Sequence, residues 1–144
     1  MSKPGIAYQL YSARSQAEKD LEGALTTLKH QGYEGVELAS TYGLSGAELR
    51  QLLDDVGLQA PSCHVPVKQM LEDPEGVIAL YKQIGCKYIA LPYVEEHHRP
   101  GHPGFAELIP LIYRFGQMCK DAGMQLLYHN HDFEFEPVSG MYGL

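Results

Sequence analysis

Two apolar patterns alternate along the chain. The first consists of short, near-continuous apolar runs: Gly5–Ser12 (GIAYQLYS), Tyr33–Ala39 (YEGVELA), Leu58–Pro66 (LQAPSCHVP), Lys87–Pro92 (KYIALP) and the opening of Met124–Phe135 (MQLLYHNHDFEF). Such runs predict buried strands. Between them, apolar residues return at helical spacing: Leu21, Ala24, Leu25 and Leu28; Leu49, Leu52, Leu53 and Val56; Val77, Ile78, Tyr81 and Ile84; then Ile109, Ile112, Phe115 and Cys119. Start signals open the first three helices, and a stop signal closes each of the four. Asp20, the Ser45/Glu48 capping-box pair and Asp73–Pro74 mark starts. Gly32, Gly57, Gly85 and Gly123 mark ends. Pro61 weakens the third strand by removing a ladder donor. Pro110 is expected in the first turn of the last helix, or to kink it.

The order is therefore βαβαβαβαβ, which implies an α/β fold with parallel strands and right-handed crossovers. An open doubly wound sheet and part of a closed (βα)8 barrel both fit. Both place ligands at the C-terminal strand ends. The polar residues expected there are Gln9, Glu37, His64, Tyr93 and the 129–134 cluster. No GxGxxG follows the first strand, and no GxxxxGK[ST] or GxSxG occurs. Phosphate-cradle and serine-hydrolase readings lose their motifs.

Composition narrows the class further. The 144 residues suggest one domain, 1–144, and 44% hydrophobic with 20% charged residues supports a packed core. A net charge of -7 without a Lys/Arg cluster disfavours nucleic acid as partner. No apolar run approaches the roughly 20 residues needed to cross a bilayer. The N-terminus lacks the apolar core of a signal peptide. Cys63, Cys86 and Cys119 are scattered and odd in number, so they read as reduced core thiols of a cytoplasmic protein.

The chemistry concentrates in YHNHDFEF. On an extended strand His129 and His131 share a face, while Asn130 and Glu134 take the other. All converge only if the strand bends or ends near Asp132. Glu37 interrupts an apolar strand, where a buried carboxylate is costly unless paired or used. His64 ends the third strand, as a substrate contact or a core-satisfied ring. His97, His98 and His102 lie in a polar Pro/Gly loop and read as solvated. Tyr8 and Tyr11 read as core or rim packing.

Together YQLYSAR (8–14), HQGYEGVELA (30–39), LLDDVGLQAPSCHVP (52–66), IGCKYIALP (84–92) and YHNHDFEF (128–135) resemble, in order, the N-terminal part of the xylose isomerase-like TIM barrel family. That family includes sugar phosphate isomerases and epimerases. The resemblance implies a partial (β/α)8 barrel, about (βα)4β, acting on a small sugar or sugar phosphate. It implies a divalent metal (Mn²⁺, Mg²⁺, Co²⁺ or Zn²⁺) with Glu134 as its first ligand. Glu134 and His131 would be catalytic, and Gln9, Glu37, His64, Tyr93, His129 and Asn130 would face substrate. The metal would act as a Lewis acid while a carboxylate moves a proton through an enediolate. A non-catalytic carbohydrate- or metabolite-binding module, and a lyase or dehydratase on the same barrel, are the alternatives. An open flavodoxin-like sheet ranks last. The family's Asp, His and second Glu ligands belong to later strands, so the site is expected to be incomplete in one copy. The chain would then be a fragment, or a homo-oligomer or strand-exchanged dimer would supply the missing wall.

Overall fold

The computed structural model describes residues 5–138 and 140–142. Five parallel strands form one sheet: β1 (Ala7–Gln9), β2 (Gly35–Leu38), β3 (Gln59–His64), β4 (Tyr88–Leu91) and β5 (Gln125–Tyr128). Their spatial order is their chain order, 1-2-3-4-5. A doubly wound sheet reverses direction at a switch point; this one does not. The helices α1 (Arg14–Ala17), α2 (Leu21–His30), α3 (Gly46–Val56), α4 (Val67–Glu72), α5 (Pro74–Ile84) and α6 (Phe105–Asp121) pack against their neighbours in sequence. The result is a barrel wall of five strands with helices outside. A two-stranded antiparallel pair, β6 (Pro137–Val138) and β7 (Met141–Tyr142), follows.

The sequence signals act where expected. Asp20 accepts from the Gly23 amide at 2.9 Å, and Asp73 from Gly76 at 3.0 Å. Ser45 and Glu48 form the reciprocal capping box. Gly57 and Gly85 end α3 and α5 in the left-handed conformation, with φ of 81° and 104°. Two details depart from the sequence reading. The short helix α4 precedes α5, with Pro66 at its N-cap. Of the two places expected for Pro110, the structure gives the one inside α6, six residues in and beyond the first turn. The inward stripe of α6 runs through Leu108, Phe115 and Cys119, leaving Ile109 exposed, because the helix turns Leu108 rather than Ile109 toward the sheet.

Strand alternation separates structure from chemistry. Val36, Leu38, Cys63, Val65, Ile89 and Leu91 face the helices and join one buried core. Between them, Glu37, Ser62 and His64 lie on the inner face with Gln9. β3 is six residues long despite Pro61. The ladder slips between Gly35↔Gln59 and Glu37↔Ser62, so a bulge takes up Pro61 where no donor is needed. The inner face is thus more polar than an apolar barrel interior. Its exposed apolar surface centres on Tyr88 and Leu127 near the free edge of β5.

Candidate active site

At the C-terminal rim, Gln9, Tyr11, Ala39, His64, Pro66, Pro92, Tyr93, His129 and His131 line one cavity of about 450 Å³. The parallel register explains the convergence: each residue stands at or just beyond its strand's end. Beneath the cavity, Glu37 gathers three strands. Its carboxylate accepts from Gln9 Nε2 at 2.9 Å and from Ser62 Oγ at 2.7 Å. His64 Nε2 stands 2.9 Å from Glu37 Oε1, in a contact where the N–H does not point straight at the oxygen. The His64 contact, opposed by partial burial and helped by Ser62 and Gln9, holds the Glu37 carboxyl down at about 2. The half-buried carboxylate is therefore paired on both oxygens, which is what its position in an apolar strand demands.

Three imidazoles continue the wall. His64 meets His129 edge-on at 4.9 Å between centroids, and His129 meets His131 at 5.1 Å. Burial, with the neighbouring His64 and His131, lowers the pKa of His129. The Nδ1 of His131 is buried without a hydrogen-bond partner among the described residues. Such atoms are uncommon, and each asks for a missing polar partner.

The parity problem at YHNHDFEF resolves because β5 ends at Tyr128. The last ladder bond is His129 N–H to Leu91 O at 3.0 Å. The chain then turns through Asp132 into a 3-10 helix at Phe133–Phe135, which carries Glu134 back toward the strand. Glu134 is only 2% exposed. It accepts a hydrogen bond from the Tyr128 hydroxyl and one from the His131 amide at 2.7 Å. Burial, with the Glu134 carboxylate beside it, pushes the Tyr128 phenol up.

The structure thus brings Gln9, Glu37, His64, Tyr93, His129 and His131 together. Asn130 is exposed, outside the cavity lining, and donates to the His131 carbonyl at 3.3 Å. Glu134 lies outside that lining, both its oxygens engaged by the residues that shape the turn. Among the described residues no group of three His, Cys, Asp or Glu side chains is arranged to hold a metal ion. These residues do not by themselves fit a divalent metal. Tyr11 lines the rim, while Tyr8 packs edge-on against Tyr33 at 5.2 Å. Sequence reasoning missed Ser62, which shares strand parity with His64 and sits opposite Glu37 in the register. It also missed Arg99, which no periodic pattern marks. The three cysteines are free and buried.

No protein-family model and no curated protein matches this sequence. Solved structures do. A sugar phosphate isomerase/epimerase from Parabacteroides distasonis superposes with a TM-score of 0.78 at 20% identity, over 96% of this chain and 55% of that one. A D-allulose 3-epimerase from Methylomonas sp., in complex with D-allulose, gives 0.58 at 15% identity, over 89% and 52%. An L-ribulose 3-epimerase gives 0.58 at 19%, over 86% and 48%. The chain spans about half the length of these proteins. At such identities the likeness establishes architecture: this chain has the fold of about half of a (β/α)8 TIM barrel.

Proposed function

We propose that these residues form the sugar-binding wall of an isomerase or epimerase that acts on a small sugar or sugar phosphate by proton transfer through an enediolate. The observation that carries this reading is the convergence of strand tips β1 to β5 on one cavity walled by Gln9, His64, His129 and His131, with Glu37 joining Gln9 to His64 beneath it. Apolar walls with a few fixed polar groups suit a polyol ligand. Gln9, His64 and Tyr93 would hold hydroxyls. His64, oriented by the carboxylate behind it, would take the proton from the carbon beside the carbonyl as the enediolate forms and return it to the enediolate carbon. His131 borders the same cavity, and Glu134 acts through it by holding its amide. With both oxygens of Glu134 engaged and no group of three ligating side chains among the described residues, no step is assigned to Mn²⁺, Mg²⁺, Co²⁺ or Zn²⁺. The chemistry assigned to this chain is that of its own side chains. Association through the free edge of β5, as a homo-oligomer or strand-exchanged dimer in the cytoplasm, belongs to the same proposal; light scattering on the eluting protein reads it.

The test is NMR of D-allulose and L-ribulose incubated with the protein in D2O, with and without Mn²⁺. Deuterium should appear at the carbon next to the carbonyl, and H64Q should abolish it. Absence of both exchange and sugar binding overturns the reading. The engaged oxygens of Glu134 favour a second reading, a binding module without chemistry. It predicts calorimetric sugar binding that needs no metal and brings no exchange.

A further inference from the structure

We infer that Arg99 is a positioning residue that fixes the ring of His131 at the cavity wall. Its functional meaning rests on the sugar-site reading; its geometry does not. Arg99 follows a 3-10 turn, Glu96–His98, in the loop after β4. Its Nε donates to the Val94 carbonyl at 3.0 Å, and a terminal nitrogen donates to the Tyr93 hydroxyl. The guanidinium carbon lies 3.7 Å above the centre of the Phe133 ring and 5.1 Å from that of Tyr93.

Those two rings are the ones that enclose His131. Phe133 lies nearly parallel to the imidazole, 8° between planes and 5.7 Å between centres. Tyr93 meets it edge-on at 5.3 Å and 84°. Tyr93 also abuts Phe133 edge-on at 5.6 Å. One planar cation therefore clamps the two rings that frame the His131 imidazole. A guanidinium is well shaped for such a clamp, because its fork anchors to two oxygens while its face stacks on an aromatic ring.

Among the described residues no carboxylate lies within ion-pair distance of Arg99. An arginine spared for ring packing, two loops from the chain it holds, joins the segment after β4 to the segment after β5. His131 carries the otherwise unpartnered Nδ1, so its orientation decides what that nitrogen can meet.

The experiment is heteronuclear NMR of the His131 ring, with calorimetric titration of D-allulose, in the wild type, R99M, R99K and Y93F. Ring currents from Phe133 and Tyr93 give His131 a displaced proton shift in the wild type. R99M should move it toward the free-histidine position, Y93F should move it less and in the same direction, and R99K should restore part of it. Sugar affinity should fall about tenfold or more in R99M, as small misplacements at a site do. An unmoved His131 in both R99M and Y93F overturns the assignment, even where the wild type binds sugar and the functional reading stands. His131 moving as expected, with no protein binding sugar, sinks the sugar site and leaves the clamp in place.

Discussion

The Glu37 carboxylate meets His64 Nε2 at 2.9 Å, and its remaining capacity is taken by Gln9 and Ser62, so one charge ties three strand tips. The folded carboxyl sits at about 2, below its usual 4.5. A lowered acid contributes stability that is fully present above the unfolded value and is lost as pH falls through the folded one. The contribution should be complete at pH 7 and fade between 4.5 and about 2. Its size is on the order of 2 kcal/mol after allowance for solvent screening. Urea denaturation of the wild type and E37Q should show a gap at pH 7 that narrows below pH 4.5 and closes only as pH falls through about 2. Parallel loss in both proteins would mean the charge is not what binds the tips.

His129 carries the opposite bias. Burial, then its neighbours His64 and His131, favour its neutral ring, with Glu37 and Glu134 pulling weakly the other way. Its midpoint in the folded protein should lie below 6.5, read by NMR of the ring protons. For a histidine with a lowered value, stability is present above the unfolded pKa and declines as pH drops below it. H64N removes one like-charged neighbour and should raise the midpoint, without restoring 6.5, because burial is the larger cause.

Periodicity made the scaffold legible. Caps at Asp20, Ser45 and Asp73 and stops at Gly57 and Gly85 are local chemistry, and the folded chain honours them. The same holds for Gln9, Glu37 and His64, since a parallel sheet must bring strand ends to one rim. What local reading could not reach was decided by tertiary contact. The end of β5 at Tyr128 depends on where the Leu91 carbonyl takes its last partner. That fold-back, not the strand's parity, puts Glu134 against its own strand. Arg99 acts on Phe133 across two loops, a pairing that no spacing along the chain encodes.

Gly35 faces the β3 bulge too closely for a side chain. A Cβ there would stand 2.7 Å from the Gln59 carbonyl oxygen and 3.3 Å from Pro61 Cδ. Both neighbours are stiff, one a backbone atom and the other a ring. Gly35→Ala should cost about 1–3 kcal/mol by overpacking. Chemical denaturation measures it. Because Glu37 follows by two residues, the same variant should disturb the Gln9–Glu37–His64 contacts and, under the proposed function, weaken sugar binding. An unchanged denaturation midpoint would show that the bulge gives way easily.

Glu134 is sealed, with the Tyr128 phenol on one oxygen and the His131 amide on the other. Y128F leaves a buried carboxylate oxygen without that donor, which should cost about 1–3 kcal/mol. E134Q removes the charge but keeps an acceptor, and in the double variant the phenyl ring faces an amide rather than a carboxylate. The double variant should therefore be less destabilised than the sum of the singles, by at least about 0.5 kcal/mol. Denaturation of all four proteins completes the cycle. Additive losses would mean that the hydroxyl and the carboxylate are neighbours without coupling, and that another contact folds residues 129–135 back onto the strand.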